Sequence, residues 1–474
     1  MIDRMQTFTV SDLSLIHDTS MEILSMTGIN FNDLGIANIF KKNGFPTDGT
    51  RVYLDEPHVM AALQSVRPEF TVHSRNPDRN VKIGNEHYVF LPTGGAPQVA
   101  DLTGSVRPAT FKDFDTCCRL LQTSDQLDMG GYLMVQPNDI PVSTAHLDML
   151  CSYMTLCDKP IFGACGFKEA ALDTIEMAGI IFDGKEKIKD FPVMVSVVNA
   201  MSPLQFSKEQ GEVIVEMALH GQPIVITNMI LAGASGPISL PSLLALLNAE
   251  VLAGIVLTQL VNPGTPVLYG TATAPMDMKT MVSAVGSAEA VKIASAAIQL
   301  ARFYNIPCRA GGSLTDAHLP DAQALSEGSL MLSTVVRNGA NFIYHACGQM
   351  GSFISMSFEK WLLDEEVCRL IRYMTTPINI SKETMMVENI VQVGIGGQYL
   401  THPTTFQQFR TLTSPKLFNR KDISKWATGG ALSADQVASK ALEERLSAYQ
   451  KPWIDSDVEQ ALIDYVNKKK LDTA

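Results

Sequence analysis

The sequence has no CxxC pair, no dense Lys/Arg tract and no uninterrupted apolar run of signal-peptide length near its start. Its eight cysteines are scattered through apolar helix and strand patterns, as in thiols kept reduced, so neither a disulfide framework nor a paired zinc site is expected. Acidic residues number 49 against 37 basic ones, a formal charge of −12. Sequence-independent nucleic-acid binding needs cations to neutralise phosphates, so no nucleic-acid partner is expected. The longest apolar stretch, Leu243 to Val261, is interrupted by Asn248, Glu250 and Gln259. A bilayer would strand that carboxylate in hydrocarbon, so a buried helix is predicted there, with no membrane partner and a cytoplasmic location.

The 474 residues, 46% hydrophobic and 18% charged, suffice for about three domains or for one large α/β barrel with additions. Residues 1–85 read as an N-terminal helical extension. Thr9-Val10-Ser11-Asp12 is a capping signal, a helix is expected over Leu34–Lys42, and another starts at Glu56-Pro57. Phe70 to Ser74 alternates like a short strand.

From residue 86 to 371 short apolar runs alternate with helical patterns of 12–20 residues. The predicted strands are Tyr88–Leu91, Leu127–Val135, Pro160–Cys165, Val193–Asn199, Pro223–Ile230, Pro266–Thr271, Pro307–Gly311 and Asn341–Ala346. Strand–helix alternation implies right-handed βαβ units and a parallel sheet, and eight units match a (β/α)8 TIM barrel. An open doubly wound sheet is the structural rival. No dinucleotide fingerprint follows the first strand, where Pro92 and Pro97 stand in place of a helix start. Residues 372–474 read as a C-terminal helical cover.

Barrel chemistry collects at the C-terminal strand ends, which here carry Phe90, Cys165, Asn199, Asn228, Thr271, Arg309 and His345. Val195, Val197 and Asn199 share one face, as do Ile224, Ile226 and Asn228, and Asn341, Ile343 and His345. If those faces point inward, the polar tips form a ring above an apolar interior. Each Asn is equally explained as a turn former or helix cap, and His345 as a hydrogen-bonded core residue. A zinc site from His345, Cys347, Cys165 and Cys308 is disfavoured, since Cys308 opens its strand rather than closing it. Asp316, His318 and Asp321 fit loop structure and helix capping better than metal ligation. Gly233-Ala234-Ser235-Gly236 is not a nucleophile elbow, and Gly311-Gly312 suits either a phosphate cradle or a tight turn. No acid–base or nucleophilic catalytic residue is assigned.

Several stretches together resemble the trimethylamine methyltransferase (MttB) superfamily. They are Gly311–Asp316 running into Pro320-Asp321-Ala322-Gln323-Ala324, Gly339-Ala340-Asn341 with His345-Ala346-Cys347-Gly348, Gly397–Pro403, and Phe418-Asn419-Arg420. The resemblance spans nearly the whole chain. It implies a barrel that moves a methyl group from an amine to the cobalt of a corrinoid carried by a separate protein. The archetypal member contains pyrrolysine, whereas all positions here are standard residues. That favours the branch acting on quaternary amines such as glycine betaine, proline betaine or carnitine.

A betaine has two ends. Its cation calls for an aromatic wall, with Phe90, Phe162 and Phe353 as candidates and Tyr88 and Tyr269 behind them. Its carboxylate calls for donors, with His345 and Asn199 first and Asn228, Gln349 and Arg309 in reserve. The expected partners are a cognate corrinoid protein, a small betaine and further copies of the chain. No tightly bound metal is expected. The rival functions are a zinc-dependent thiol methyltransferase, a barrel lyase or aldolase acting on a phosphorylated acid, and a betaine-binding protein.

Overall fold

A computed structural model describes residues 4–473. Eight parallel strands form its central sheet: β1 Val89–Pro92, β2 Gly130–Gly131, β3 Ile161–Phe162, β4 Met194–Ala200, β5 Ile224–Asn228, β6 Val267–Gly270, β7 Cys308–Gly311 and β8 Phe342–Cys347. Their spatial order follows the chain, with β8 returning to pair with β1. The Asp128 amide donates to the Phe90 carbonyl at 2.9 Å and closes the remaining gap between β1 and β2. The result is a (β/α)8 barrel, not an open sheet.

The helices are α1 Phe111–Gln122, α2 Ala145–Leu156, α3 Lys168–Ile181, α4 Lys208–Leu219, α5 Leu240–Val261, α6 Ala288–Phe303, α7 Ala322–Asn338 and α8 Phe358–Thr375. Five start on a side-chain cap that accepts a first-turn amide: Thr110, Ser207, Ser287, Asp321 and Ser357. Four prolines stand just before strands, where the absent N–H is not missed and the carbonyl still accepts. Pro223, for instance, accepts from Ser196 at 3.1 Å.

Two predicted strands shrink, Leu127–Val135 to two residues and Pro160–Cys165 to two. Gly131 explains the first. Its φ is +148°, and a Cβ there would lie 2.3 Å from the Phe162 carbonyl, so the chain turns away after close contact. The apolar stretch is helix α5, long and apolar enough to cross a membrane but mostly buried in the protein. Its Glu250 accepts from Ser202, the Leu204 amide and Asn228, and burial raises its pKa.

The N-terminal segment is not purely helical. Helices Val10–Met26, Leu34–Lys42 and Glu56–Gln64 alternate with short strands. Ile29–Phe31 pairs with Gln205–Phe206 in the loop after β4, and Phe31 stacks on Phe206 at 5.1 Å. The hairpin Glu69–Val72/Val81–Gly84 plugs the lower barrel, where Phe70, Val72 and Ile83 join Val89, Leu91, Val195, Val225, Leu268 and Phe342 in one apolar cluster. Among the described residues this plug fills the N-terminal end of the barrel and leaves the C-terminal end for the site. Downstream of the barrel, helix Ala434–Ser447 ties to α8 through Arg445 and Glu365 at 2.6 Å.

Candidate active site

The interior cluster fixes which side chains face the lumen. Val195 and Val225 point inward, so Val197 and Asn199 follow on β4, and Thr227 follows on β5. Arg309 pairs with Gly270 and with the inward Phe342, which turns the guanidinium into the lumen. Asn199 lies opposite Thr227 in the ladder, and Gly270 lies between Thr227 and Arg309. The upper barrel thus carries one continuous polar arc of Asn199, Thr227 and Arg309.

Arg309 is the unusual member. It is 4% exposed, yet among the described residues no carboxylate faces it. Its Nη1 donates to the Thr271 carbonyl and its Nη2 lies 3.3 Å from His345 Nδ1, while its buried Nε has no partner. The buried Thr227 hydroxyl is also unpartnered. Desolvation of the charge lowers the Arg309 pKa to about 10.

Aromatic rings line the arc. The Tyr344 ring lies 5.5 Å from the Arg309 guanidinium carbon and 5.0 Å from Phe162. His345 stacks on Tyr344 at 3.9 Å, and Phe353 meets His345 edge-on at 5.1 Å. This run exists because β8 is irregular between Ile343 and Cys347, with His345 at φ +61°. The left-handed residue swings back beside its neighbour instead of facing the helices. Gly94 makes room, since a Cβ there would sit 1.8 Å from the Tyr344 hydroxyl. Burial and the nearby guanidinium hold the His345 pKa well below its ordinary value, so the ring is neutral. Arg309 donates to Nδ1, which leaves the proton on Nε2.

Several expected site residues lie elsewhere. Asn228 faces outward and donates to Glu250 and to the Leu247 carbonyl on α5, because the inward face of β5 is the Val225/Thr227 face. Phe90 also points to the helices, with Arg372 of α8 4.6 Å from its ring, and Tyr88 shares that arginine. Tyr269 faces α5 and donates to Asn248. Gln349 is buried with both ends engaged, accepting from Thr93 and the Gly94 amide and donating to Ser355. It braces the mouth loops. The structure does bring together Arg309, His345, Phe162 and Phe353, and Asn199 sits exposed at the end of the arc.

Sequence reading missed Tyr344 and Thr227. Both lie one residue from a named candidate, Thr227 on the opposite face from Asn228 and Tyr344 beneath the stacked ring of His345.

The mouth loops are held by buried polar ties. Lys360 donates to Asp364 at 2.7 Å and to Ser313, while Asp364 also accepts from the Gly348 amide. Asp316 accepts from Val285, Gly286 and Ser352, and Asp321 caps α7. Among the described residues no three His, Cys, Asp or Glu side chains gather as metal ligands. Cys308 faces the Gly339 carbonyl and Cys347 pairs with Cys368 at 3.9 Å.

Fold and site define a class: a (β/α)8 barrel that carries a buried, uncompensated cation beside aromatic rings at the C-terminal end of its strands. The family model described as trimethylamine methyltransferase (MTTB) matches residues 1–474, and the chain belongs to that family of methyltransferases. It is 36% identical to the glycine betaine methyltransferase of Desulfitobacterium hafniense, covering 97% of this chain and 96% of that one. It is 30% identical to the proline betaine:corrinoid methyltransferase of Eubacterium limosum, covering 93% of each. The crystal structure of the Methanosarcina barkeri monomethylamine methyltransferase matches with a TM-score of 0.53 at 10% identity, over 93% of this chain and 88% of that one, which shows the shared fold.

Proposed function

We propose that the protein moves a methyl group from a small quaternary amine bearing a carboxylate, with glycine betaine the leading substrate, to the Co(I) of a corrinoid on a separate protein. The observation that carries this reading is Arg309, a guanidinium buried in the lumen without an anion. An unpaired buried charge is costly, and a substrate carboxylate is the partner that would offset it. The unpartnered Thr227 hydroxyl and the exposed Asn199 amide extend the same edge.

The opposite end of the zwitterion then meets Tyr344, Phe162 and Phe353, where each cation–π contact contributes ~0.5–2 kcal/mol. In the displacement, the C–N bond breaks with its electron pair staying on nitrogen, and the methyl carbon bonds to cobalt. The leaving group is a neutral tertiary amine, so no proton moves. A neutral His345 fits a site that positions rather than titrates. Positive charge vanishes from nitrogen along the reaction, so a tight cationic cage would stabilise the substrate more than the transition state. Gripping the carboxylate avoids that penalty.

The test mixes the protein with reduced cobalamin and glycine betaine, proline betaine, carnitine, choline or trimethylamine, and follows the cobalamin spectrum. Conversion with one or more betaines and none with choline is expected. Equal conversion with choline, or none with any quaternary amine where a known relative works, overturns the reading.

A further inference from the structure

Between α8 and helix Ala434–Ser447 the chain makes an excursion that has no core. No residue from 372 to 437 is buried. Within 376–412, fewer than a tenth of the positions, lie twelve of the 35 exposed large apolar side chains among the described residues, including Ile378, Val391, Ile395, Leu400 and Phe406. Its helices, Lys382–Met385, Val387–Val393 and Pro403–Gln408, are far shorter than an isolated helix needs.

We propose that residues 376–412 are an arm that docks on a second copy of this chain. The first argument is area. At ~100 Å² per apolar side chain the arm offers on the order of 1,000 Å², above the few hundred Å² common on monomers and comparable with the ~800 Å² per partner of a stable interface.

The second argument is position. The arm leaves α8 at Thr375, whose hydroxyl lies 3.4 Å from that of Tyr88, just before β1. It returns at Thr413, held by Arg369 of the same helix at 3.0 Å. Both anchors are on the last turns of α8, toward the barrel end opposite the mouth.

The third argument is charge. The chain carries −12 in all, and two such surfaces repel. The arm balances Lys382 and Arg410 against Glu383 and Glu388, so it can approach an acidic copy without that repulsion. A symmetric exchange of arms would bury both at once.

The experiment weighs the full-length protein by light scattering during size-exclusion chromatography and by sedimentation across nanomolar to micromolar concentration. Wild type is expected to be a dimer or a larger symmetric assembly. The double variant Ile395→Glu/Phe406→Glu is expected to weaken association roughly 100-fold, with an unchanged far-ultraviolet circular dichroism spectrum. A photo-crosslinking residue at position 395 of the otherwise native chain gives a second readout that needs no charged substitution. A covalent species of twice the chain mass supports the arm exchange. A monomeric wild type, an undiminished assembly in the double variant, or crosslinks confined to one chain or formed only with an added corrinoid protein overturn it.

Discussion

A guanidinium in the interior of a barrel costs free energy unless something repays its lost hydration. Arg309 recovers part of it from the Thr271 carbonyl, His345 and the Tyr344 ring, but not from an acid. Its folded pKa of about 10 lies below the usual 12.5, so the cost is present at every pH below ~10 and fades as pH rises toward the unfolded value. Arg309→Met should therefore uncouple function from stability. We expect kcat/KM for glycine betaine to fall by about 100-fold or more, in line with loss of a charged contact, and unfolding free energy to stay level or rise by about 1–3 kcal/mol. A loss of stability on the same scale, measured by denaturant titration, would mark Arg309 as a structural tie instead. Betaine should also raise the Tm of wild type and not that of the variant.

Among the elements, helix Ser456–Thr473 is held to the barrel helices by two acids, Asp148 of α2, which accepts from Lys470, and Asp173 of α3. Asp173 of α3 accepts from His146 at 2.9 Å and from Tyr465 and Lys469, each at 2.8 Å. These donors overcome burial and bring the Asp173 pKa down to about 2. Asp173→Asn removes the charge that three donors share. Amides of residues 456–473 should then exchange with deuterium at least tenfold faster, while those of α5 stay protected. Uniform loss of protection would show instead that this helix unfolds only with the whole barrel.

Helix starts were more legible in the chain than strand ends, since the runs Leu127–Val135 and Pro160–Cys165 shrink to two residues each. A capping residue marks a helix start directly, as at Val10, where Thr9 accepts from the Asp12 amide, because a cap is a local interaction between neighbours in sequence. Strand faces were not legible. On β5 both the Ile224/Ile226 face and the Val225/Thr227 face are apolar and buried, so alternation carries no signal.

At the scale of the whole molecule, acid stability should fall in two stages. The folded chain holds His345 neutral, while the unfolded chain takes a proton below ~6.5, so folding weakens as pH drops through that value. Asp173 acts lower: its contribution is complete above its ordinary 3.8 and is lost as pH falls toward about 2. Denaturant midpoints between pH 7 and 5 should fall less in His345→Asn than in wild type. Parallel curves would show that His345 does not set the first stage.

The sequence by itself determined the eightfold alternation of strands and helices, the capped helix starts and the burial of α5, since these follow from local propensity and hydrophobic period. Only the tertiary structure decided which side of each strand lines the lumen. A parallel strand covered on both faces reads the same either way, and shifting the view by one residue exchanges Asn228 for Thr227. It also took the closed barrel to turn His345 left-handed onto Tyr344 and to leave Arg309 without an acid, because both depend on neighbours brought from distant strands.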